Sequence, residues 1–151
     1  MYENRYEIST NFGLLRLVIA QGAKIIIIPT FWTLNDCNEA GLKQNPIAEA
    51  LFLDSMLTAR AFENTCAVIF ANAGGPSGKG YAGLSQVTVP FVGALSKLGG
   101  CAEGMSVVDI DMQILEDAEQ NYQVRADLAR DDWHYDYRHG KGPLGRGKER
   151  L

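Results

Sequence analysis

The sequence has few cysteines and no long hydrophobic run, and both shortages narrow the class of protein. Its three cysteines, Cys37, Cys66 and Cys101, are widely spaced, odd in number and form no Cys-x-x-Cys pair. Neither a disulfide framework nor a zinc ribbon is indicated, so we expect reduced thiols. The longest apolar run, Cys66 to Ala71, is far shorter than the roughly 20 residues that a membrane-spanning helix needs. We therefore expect no membrane span.

Histidine is also scarce, which restricts the catalytic options. The two histidines, His134 and His139, both lie near the carboxyl terminus. A Ser-His-Asp triad built on Ser85 is not expected, because Val87 also stands where a nucleophile elbow needs its second glycine. Asp131 to His139 could surround a metal, but a segment with interleaved aromatics more often packs them and leaves its charges in water. We expect no metal and no cofactor.

Length and charge describe one soluble domain with a short basic end. The chain has 151 residues, 46% of them hydrophobic and 21% charged, and no secretory signal precedes Leu14, so a cytoplasmic location is expected. Residues 138–151 carry a charge of +4, which leaves −8 on residues 1–137. The acidic body argues against general nucleic-acid binding. The glycine-rich basic tail cannot supply a core, and we expect it to be disordered.

The first half of the chain reads as helix, strand, loop and helix. After a polar lead-in, Leu14 to Gln21 has helical spacing that Gly22 ends. Ile25 to Ile28 then predicts a strand buried on both faces, closed by Pro29. Thr30 to Asn45 lacks periodicity and predicts a working loop. An amphipathic helix follows, capped by Asn45 and Pro46, with Leu53, Leu57 and Ala61 along one side.

The segment Arg60 to Asn72 joins the end of that helix to an apolar strand, and the other elements can be placed around it. Asn64 and Thr65 favour a turn, and Arg60 lies close enough to Glu63 along the helix for an ion pair. A thiol inside such a strand is usually inert, which applies to Cys66. Cys37 is the more exposed thiol, although no partner base is evident beside it.

The second half contains a glycine-rich loop, a hairpin and a helix. The loop, residues 73–83, fails the Walker pattern, because Ala73 and Gly80 occupy positions that need a glycine and a Ser or Thr. Gln86 to Leu98 predicts a hairpin. We also predict a short strand at Ser106 to Asp111 and one helix at Met112 to Leu128, whose acidic residues mostly face water.

Several short motifs, in this order, resemble the carboxyl-terminal half of the carbon–nitrogen hydrolase (nitrilase) superfamily. Each is weak alone, but five at family-like spacing are fairly specific. They are Arg16 with Ala20 to Ala23 and Ile25 to Trp32; Arg60-Ala61 with Glu63-Asn64; Ala71-Asn72; Gly83-x-Ser85 with Pro90 and Gly93, with one extra residue in the turn; and Asp109 to Asp111.

The resemblance implies an α/β fold that forms part of the family's four-layer α-β-β-α sandwich, over residues 14–137. The apolar faces of its strands would then be partly exposed, which favours poor solubility or a homo-oligomer. It also implies a small nitrile or amide as the substrate of the intact family. It places Thr30, Phe31 and Trp32 near the substrate pocket and makes Arg60, Glu63, Asn64 and Asn72 structural motif residues.

No catalytic residue of the family can be carried over to this sequence. Family members use a Glu base, a Lys that stabilises the oxyanion and a Cys nucleophile. The Glu and Lys lie upstream of the matched region. With a few inserted residues, Met1 to Glu7 resembles the nucleophile segment, but Met1 stands at the position of the cysteine. A thioether cannot replace a thiolate, so we expect this chain alone to be inactive.

Two hypotheses follow for the function. In the first, the chain is a truncated or mis-started hydrolase of nitrile, amide or carbamoyl bonds. In the second, it is an inactive half-domain that acts in assembly, with itself or with an intact relative. We favour truncation, because the match is cut within a motif rather than at a domain edge. Contact of the basic tail with nucleic acid or membrane is the least favoured alternative.

Overall fold

The structure, a computed structural model, describes residues 12–130 as an α/β fold. The lead-in before residue 12, the possible metal ligands at residues 131–139 and the basic tail lie outside the described residues. In chain order the elements are α1 (Phe12–Ala20), β1 (Ile25–Thr30), a 3-10 turn (Leu34–Asp36), α2 (Glu39–Gln44), α3 (Ala48–Glu63), β2 (Ala67–Asn72), β3 (Gln86–Val89), β4 (Gly93–Lys97), α4 (Met112–Tyr122) and α5 (Val124–Leu128).

The strands form one sheet in the order β1-β2-β3-β4. β1 and β2 are parallel, from the pair Ile25 and Ala67 to the pair Thr30 and Asn72. Helix α3 makes the crossover between these two strands, as parallel pairing requires. β3 pairs antiparallel with both β2 and β4, so the predicted hairpin is confirmed. This topology brings the carboxyl ends of β1 and β2 to the same edge of the sheet.

The main core lies between the helices and one face of the sheet. Most buried residues of this cluster come from α1, β1, α3 and β2, and they include Leu15, Ile19, Ile26, Ile28, Leu53, Leu57, Val68 and Phe70. A second, smaller cluster of Ala67, Val89 and Leu115 lies on the other face, where α4 covers part of the sheet. Ala67 and Val68 can serve the two clusters because neighbouring strand residues point to opposite faces.

The prediction that β1 is buried on both faces is wrong. Ile26 and Ile28 are buried, but Ile27 is 64% exposed and Ile25 is also exposed. The cause is that α1 and α3 cover only one face of β1, and no layer among residues 12–130 covers the other face at Ile27. This open face agrees with the exposure that a partial sandwich implies.

Two predictions for the second half are also wrong. Ser106 to Asp111 forms no ladder, and Val107 is exposed, because strand propensity alone does not hold a segment that has no paired neighbour. The predicted helix from Met112 to Leu128 is broken at Gln123, whose φ of 53° is left-handed. The carboxylate of Glu119 accepts hydrogen bonds from the backbone N–H groups of Arg125 and Ala126, and so caps the second helix.

The loop after β1 is more ordered than predicted. It contains the 3-10 turn and α2, and α3 begins at Ala48, beyond the predicted cap at Asn45 and Pro46. The Asn45 side chain instead accepts a hydrogen bond from the Ile47 N–H, at 3.1 Å. The end of α1 is as predicted, since Gly22 adopts a φ of 92°. Among the described helices, none combines the length and the apolar character that crossing a membrane would require.

Candidate functional site

Asn72 ties together three segments at the carboxyl ends of β1 and β2. Its Oδ1 accepts a hydrogen bond from the Trp32 N–H at 2.7 Å, and its Nδ2 donates to the Trp32 carbonyl at 3.1 Å. Nδ2 also donates to the Gly83 carbonyl at 2.8 Å. The side chain therefore fixes the chain leaving β1 against the loop that leads into β3. Edges of this kind, where parallel strands end, are the usual place for ligands in open α/β sheets.

Ser85 completes this arrangement in a structural role. The Asn72 N–H donates to Ser85 Oγ at 3.0 Å, and Ser85 Oγ donates to the Asn72 carbonyl at 3.2 Å. The hydroxyl proton is thus directed at a backbone carbonyl rather than at a base. The structure therefore supports the sequence argument against Ser85 as a nucleophile.

The three residues predicted for the substrate pocket lie together but differ in exposure. Trp32 is only 4% exposed, and its indole N–H donates to the Glu49 carboxylate at 2.6 Å. Phe31 is 49% exposed and meets the Tyr81 ring edge-on, with centroids 5.6 Å apart. Thr30 is half-buried at the end of β1. Phe31 is therefore the one of the three whose apolar side chain is largely exposed.

A cavity of about 150 Å³ lies beside Asn72. Its lining comes from the end of β2 and from the two glycine-rich loops that follow β2 and β4, and consists of Asn72, Gly74, Gly83, Ser85, Leu98, Gly100, Ala102, Glu103 and Gly104. Thr30, Phe31 and Trp32 do not line it. Trp32 is linked to the cavity through its hydrogen bonds with Asn72, so the site has two parts that share this side chain.

The remaining motif residues lie at the opposite end of β2. Arg60 and Glu63 form an ion pair, and Asn64 is buried and donates from Nδ2 to the Arg60 carbonyl at 2.9 Å. Thr65, which follows, has a left-handed φ of 48° that a β-branched residue rarely adopts. These residues build the corner between α3 and β2, whereas Asn72 alone of the motif set reaches the candidate site.

Two carboxylates with clear roles were missed at the sequence level. Glu119 was expected to face water, but it accepts a hydrogen bond from Thr65 Oγ at 2.7 Å and thereby supports the corner. Glu49 supports Trp32 from the first turn of α3. Both partners are distant in sequence, so no local pattern indicates them.

The three thiols differ in their surroundings. Cys66 is fully buried directly before β2, and burial raises the pKa of its thiol from 9.0 to about 12, although the nearby positive charge of Arg125 acts in the other direction. Cys37 and Cys101 are half-buried. Residues 12–130 contain no histidine that could activate either of them. Over the same range, no group of three His, Cys, Asp or Glu side chains is placed to hold a metal.

We predict that Cys66 makes stability fall at alkaline pH. Because its folded pKa of about 12 lies above the unfolded value of 9.0, the contribution is complete below pH 9 and is lost as pH rises towards 12. The expected loss between pH 9 and 10 is roughly 1 kcal/mol. Urea unfolding at both pH values measures it.

The control for this prediction is Cys66→Ala, which should be less stable but show a smaller loss between the two pH values. Cys37 and Cys101 should react with a thiol reagent at pH 8 while Cys66 reacts only in urea. Equal pH dependence in wild type and variant would contradict the assignment.

Comparison with known proteins identifies the fold. No protein-family model and no curated protein match the sequence. The structure matches a carbon–nitrogen hydrolase from Helicobacter pylori, with 21% identity over 76% of this chain and 41% of that chain and a TM-score of 0.60. It also matches Nit3 of Saccharomyces cerevisiae, a member of branch 10 of the nitrilase superfamily, with 19% identity over 72% of this chain and 36% of that chain and a TM-score of 0.53.

A mutant of a Nesterenkonia amidase from the nitrilase superfamily is 30% identical over 73% of this chain and 38% of that chain, with a TM-score of 0.46. The chain thus spans well under half the length of each of these structures. The first two, with TM-scores above 0.5, show that the described residues have the fold of part of such hydrolases. The α/β fold and the likeness to nitrilase-type structures predicted from the sequence are therefore confirmed.

Proposed function

We propose that this chain belongs to a carbon–nitrogen hydrolase of the nitrilase type and supplies one wall of its substrate site. The observation that carries the proposal is the pair of hydrogen bonds between the Asn72 side chain and the Trp32 backbone. They fix the segment after β1 at the carboxyl ends of the parallel strands, in a fold that matches part of such hydrolases. The bond cleaved would be that of a small nitrile, amide or carbamoyl compound, as in the intact family.

The described residues would bind and orient the substrate rather than attack it. Phe31 offers an apolar surface, and Trp32 is held rigid by Glu49 and Asn72. Such rigid support keeps a contacting group within the small tolerance that catalysis needs. The nucleophile, the base and the oxyanion-stabilising lysine would come from outside residues 12–130.

The test uses the protein as its source cell makes it. Its intact mass is measured together with ammonia release from a nitrile, a primary amide and an N-carbamoyl compound. The proposal predicts a mass well above 16.5 kDa and ammonia release that iodoacetamide abolishes. A mass of 16.5 kDa with no release from any of the three substrates would overturn it.

Phe31→Ala tests the role of the wall in that same protein. Because Phe31 touches substrate but not the reacting bond, KM should rise several-fold while kcat changes little. Val92→Ala, an exposed apolar residue in the hairpin turn at the other end of the sheet, should change neither constant. Equal effects of the two substitutions would remove Phe31 from the site.

A second candidate function is assembly, favoured by the open face of β1. Ile25 and Ile27 are exposed, and Ile69 and Val87 beside them are only half-buried. Two sheets that pack face to face bury side chains of this kind from both layers. An inactive half-domain would use this surface to pair with a second copy or with an intact relative.

We predict that Ile27→Lys weakens self-association of the chain. The charge must be desolvated when the sheet face is covered, so the dissociation constant should rise at least about tenfold. Sedimentation velocity over a dilution series measures it. Ile47→Lys is the control, because Ile47 is 66% exposed and lies just before α3 rather than on the sheet. A dilution-stable, sharply melting wild-type monomer would contradict the assembly candidate.

A further inference from the structure

We infer that the cavity beside Asn72 binds a small ligand that carries a primary ammonium group, with the Glu103 carboxylate as its counter-ion. This inference goes beyond the proposed hydrolysis, because it concerns the part of the site that Phe31 and Trp32 do not line. It stands on three observations: the cavity is built by cross-linked loops, its neutral side-chain donors are engaged, and one of its nine lining residues carries a charge that no residue between 12 and 130 pairs.

The two loops that form the cavity are bonded to each other through their backbones. The Gly75 N–H donates to the Cys101 carbonyl at 2.7 Å, and the Leu84 N–H donates to the Gly100 carbonyl at 3.3 Å. These bonds pre-form the cavity without a ligand, which lowers the ordering cost of binding. At about 150 Å³, it has room for several heavy atoms, since one water takes about 30 Å³ in the liquid.

The neutral side chains that line the cavity have no donor to spare. Both amide hydrogens of Asn72 are engaged, one by the Trp32 carbonyl and one by the Gly83 carbonyl. The Ser85 hydroxyl donates to the Asn72 carbonyl. A ligand that needs donors, such as a carboxylate, would find none among these side chains and would have to rely on backbone N–H groups beside the negative charge of Glu103. A ligand that brings its own donors is favoured instead.

Glu103 is the only charged residue among the nine that line the cavity. Within residues 12–130 it forms no ion pair. Lys97, the cation on the adjacent strand, is bound to Asp54 at 2.6 Å and does not neutralise it. Glu103 is exposed, so its carboxylate is accessible to a cation that enters the adjacent cavity, and the two opposite charges attract each other at that short range. An ammonium group also supplies three donors for charge-assisted hydrogen bonds.

The test is a titration of the full chain followed by amide NMR, with methylammonium, acetamide and acetate as the probes. We expect saturable shifts at Gly74, Gly100 and Gly104 with methylammonium, and at least about tenfold weaker binding of the two other probes. Glu103→Gln should weaken methylammonium binding by about tenfold or more. Asp109→Asn, which removes an exposed carboxylate outside the cavity, should leave it unchanged.

Acetamide binding as tight as methylammonium binding would overturn the inference, as would full affinity in the Glu103→Gln variant or the absence of any saturable shift. Circular dichroism of the variants confirms that they are folded, and the Ile27→Lys background can be used if the wild type self-associates. Since the readout needs no turnover, failure here leaves the proposed hydrolase function untouched, and loss of that function leaves this titration valid.

Discussion

Gly83→Ala should destabilise the protein by about 3 kcal/mol or more, because alanine meets two separate obstacles at this position. Gly83 has a φ of 57°, which costs little only for glycine. A Cβ at this position would also lie 1.9 Å from the Gly100 carbonyl oxygen. That neighbour is backbone, so it cannot rotate away, and the two loops must separate for the methyl group to fit.

Urea unfolding followed by circular dichroism measures this effect, and Gly99→Ala is the matched control. Gly99 lies beside Gly100 in the same loop, but an added Cβ there meets nothing within 4 Å and its φ is not left-handed. The control should change stability by less than about 0.5 kcal/mol. A Gly83→Ala variant as stable as the Gly99→Ala variant would show that the loops are not held in this contact.

The same substitution should also remove the cavity as a binding site. Separation of Gly83 from Gly100 breaks the pairing of the Leu84 N–H with the Gly100 carbonyl and releases the Asn72 amide from Gly83. Methylammonium binding should be lost in folded Gly83→Ala protein, while Gly99→Ala should retain it. The stability effect and the binding effect therefore report on one contact in two independent ways.

Glu119→Ala should lower the free energy of unfolding by about 3 kcal/mol. The reason is that this one carboxylate accepts hydrogen bonds at two backbone turns, one at the left-handed residue Thr65 and one beside the left-handed residue Gln123. Its Oε2 accepts from Thr65 Oγ at 2.7 Å, and its Oε1 accepts from the Arg125 N–H at 2.7 Å. The Glu119 side chain is only 16% exposed, so water replaces these bonds poorly. Its removal would also leave the half-buried Arg125 guanidinium short of a partner.

Thermal and urea unfolding measure the cost, and two further variants separate its causes. Glu119→Gln keeps one acceptor oxygen, so its loss of unfolding free energy should be about half that of Glu119→Ala. Asp117→Ala removes an exposed carboxylate two residues away and should stay within about 0.5 kcal/mol of wild type. If Glu119→Ala were as mild as Asp117→Ala, the left-handed residues Thr65 and Gln123 would not depend on this carboxylate.

Local sequence patterns predicted the helices and strands whose local preference and tertiary packing favour the same structure. The apolar runs at β1 and β2, the helical spacing of α3 and the glycine at the end of α1 each satisfy one preference without competition. The resemblance to nitrilase-type hydrolases likewise came from short motifs at fixed spacing, and the fold agrees with it. One motif residue, Asn72, was found in this way and proved central to the candidate site.

What the sequence did not reveal depends on contacts between distant segments. Ser106 to Asp111 has strand propensity, but propensity does not supply a paired neighbour. The break at Gln123 follows from the capping of α5 by Glu119, and nothing local marks that carboxylate as buried. The cavity beside Asn72 arises where two glycine-rich loops meet, and glycines alone indicate flexibility as readily as close approach.

The parallel pairing of β1 and β2 sets the order in which this chain can assemble its site. The β3–β4 hairpin joins near neighbours such as Val89 and Gly93, whereas β1 pairs Ile25 with Ala67 only after α3 has closed the crossover. Pairings that close long loops form more slowly than local ones. Because Asn72 meets Trp32 only at the end of that crossover, ligand binding should be the last property to appear on refolding, after the hairpin and the helices are already in place.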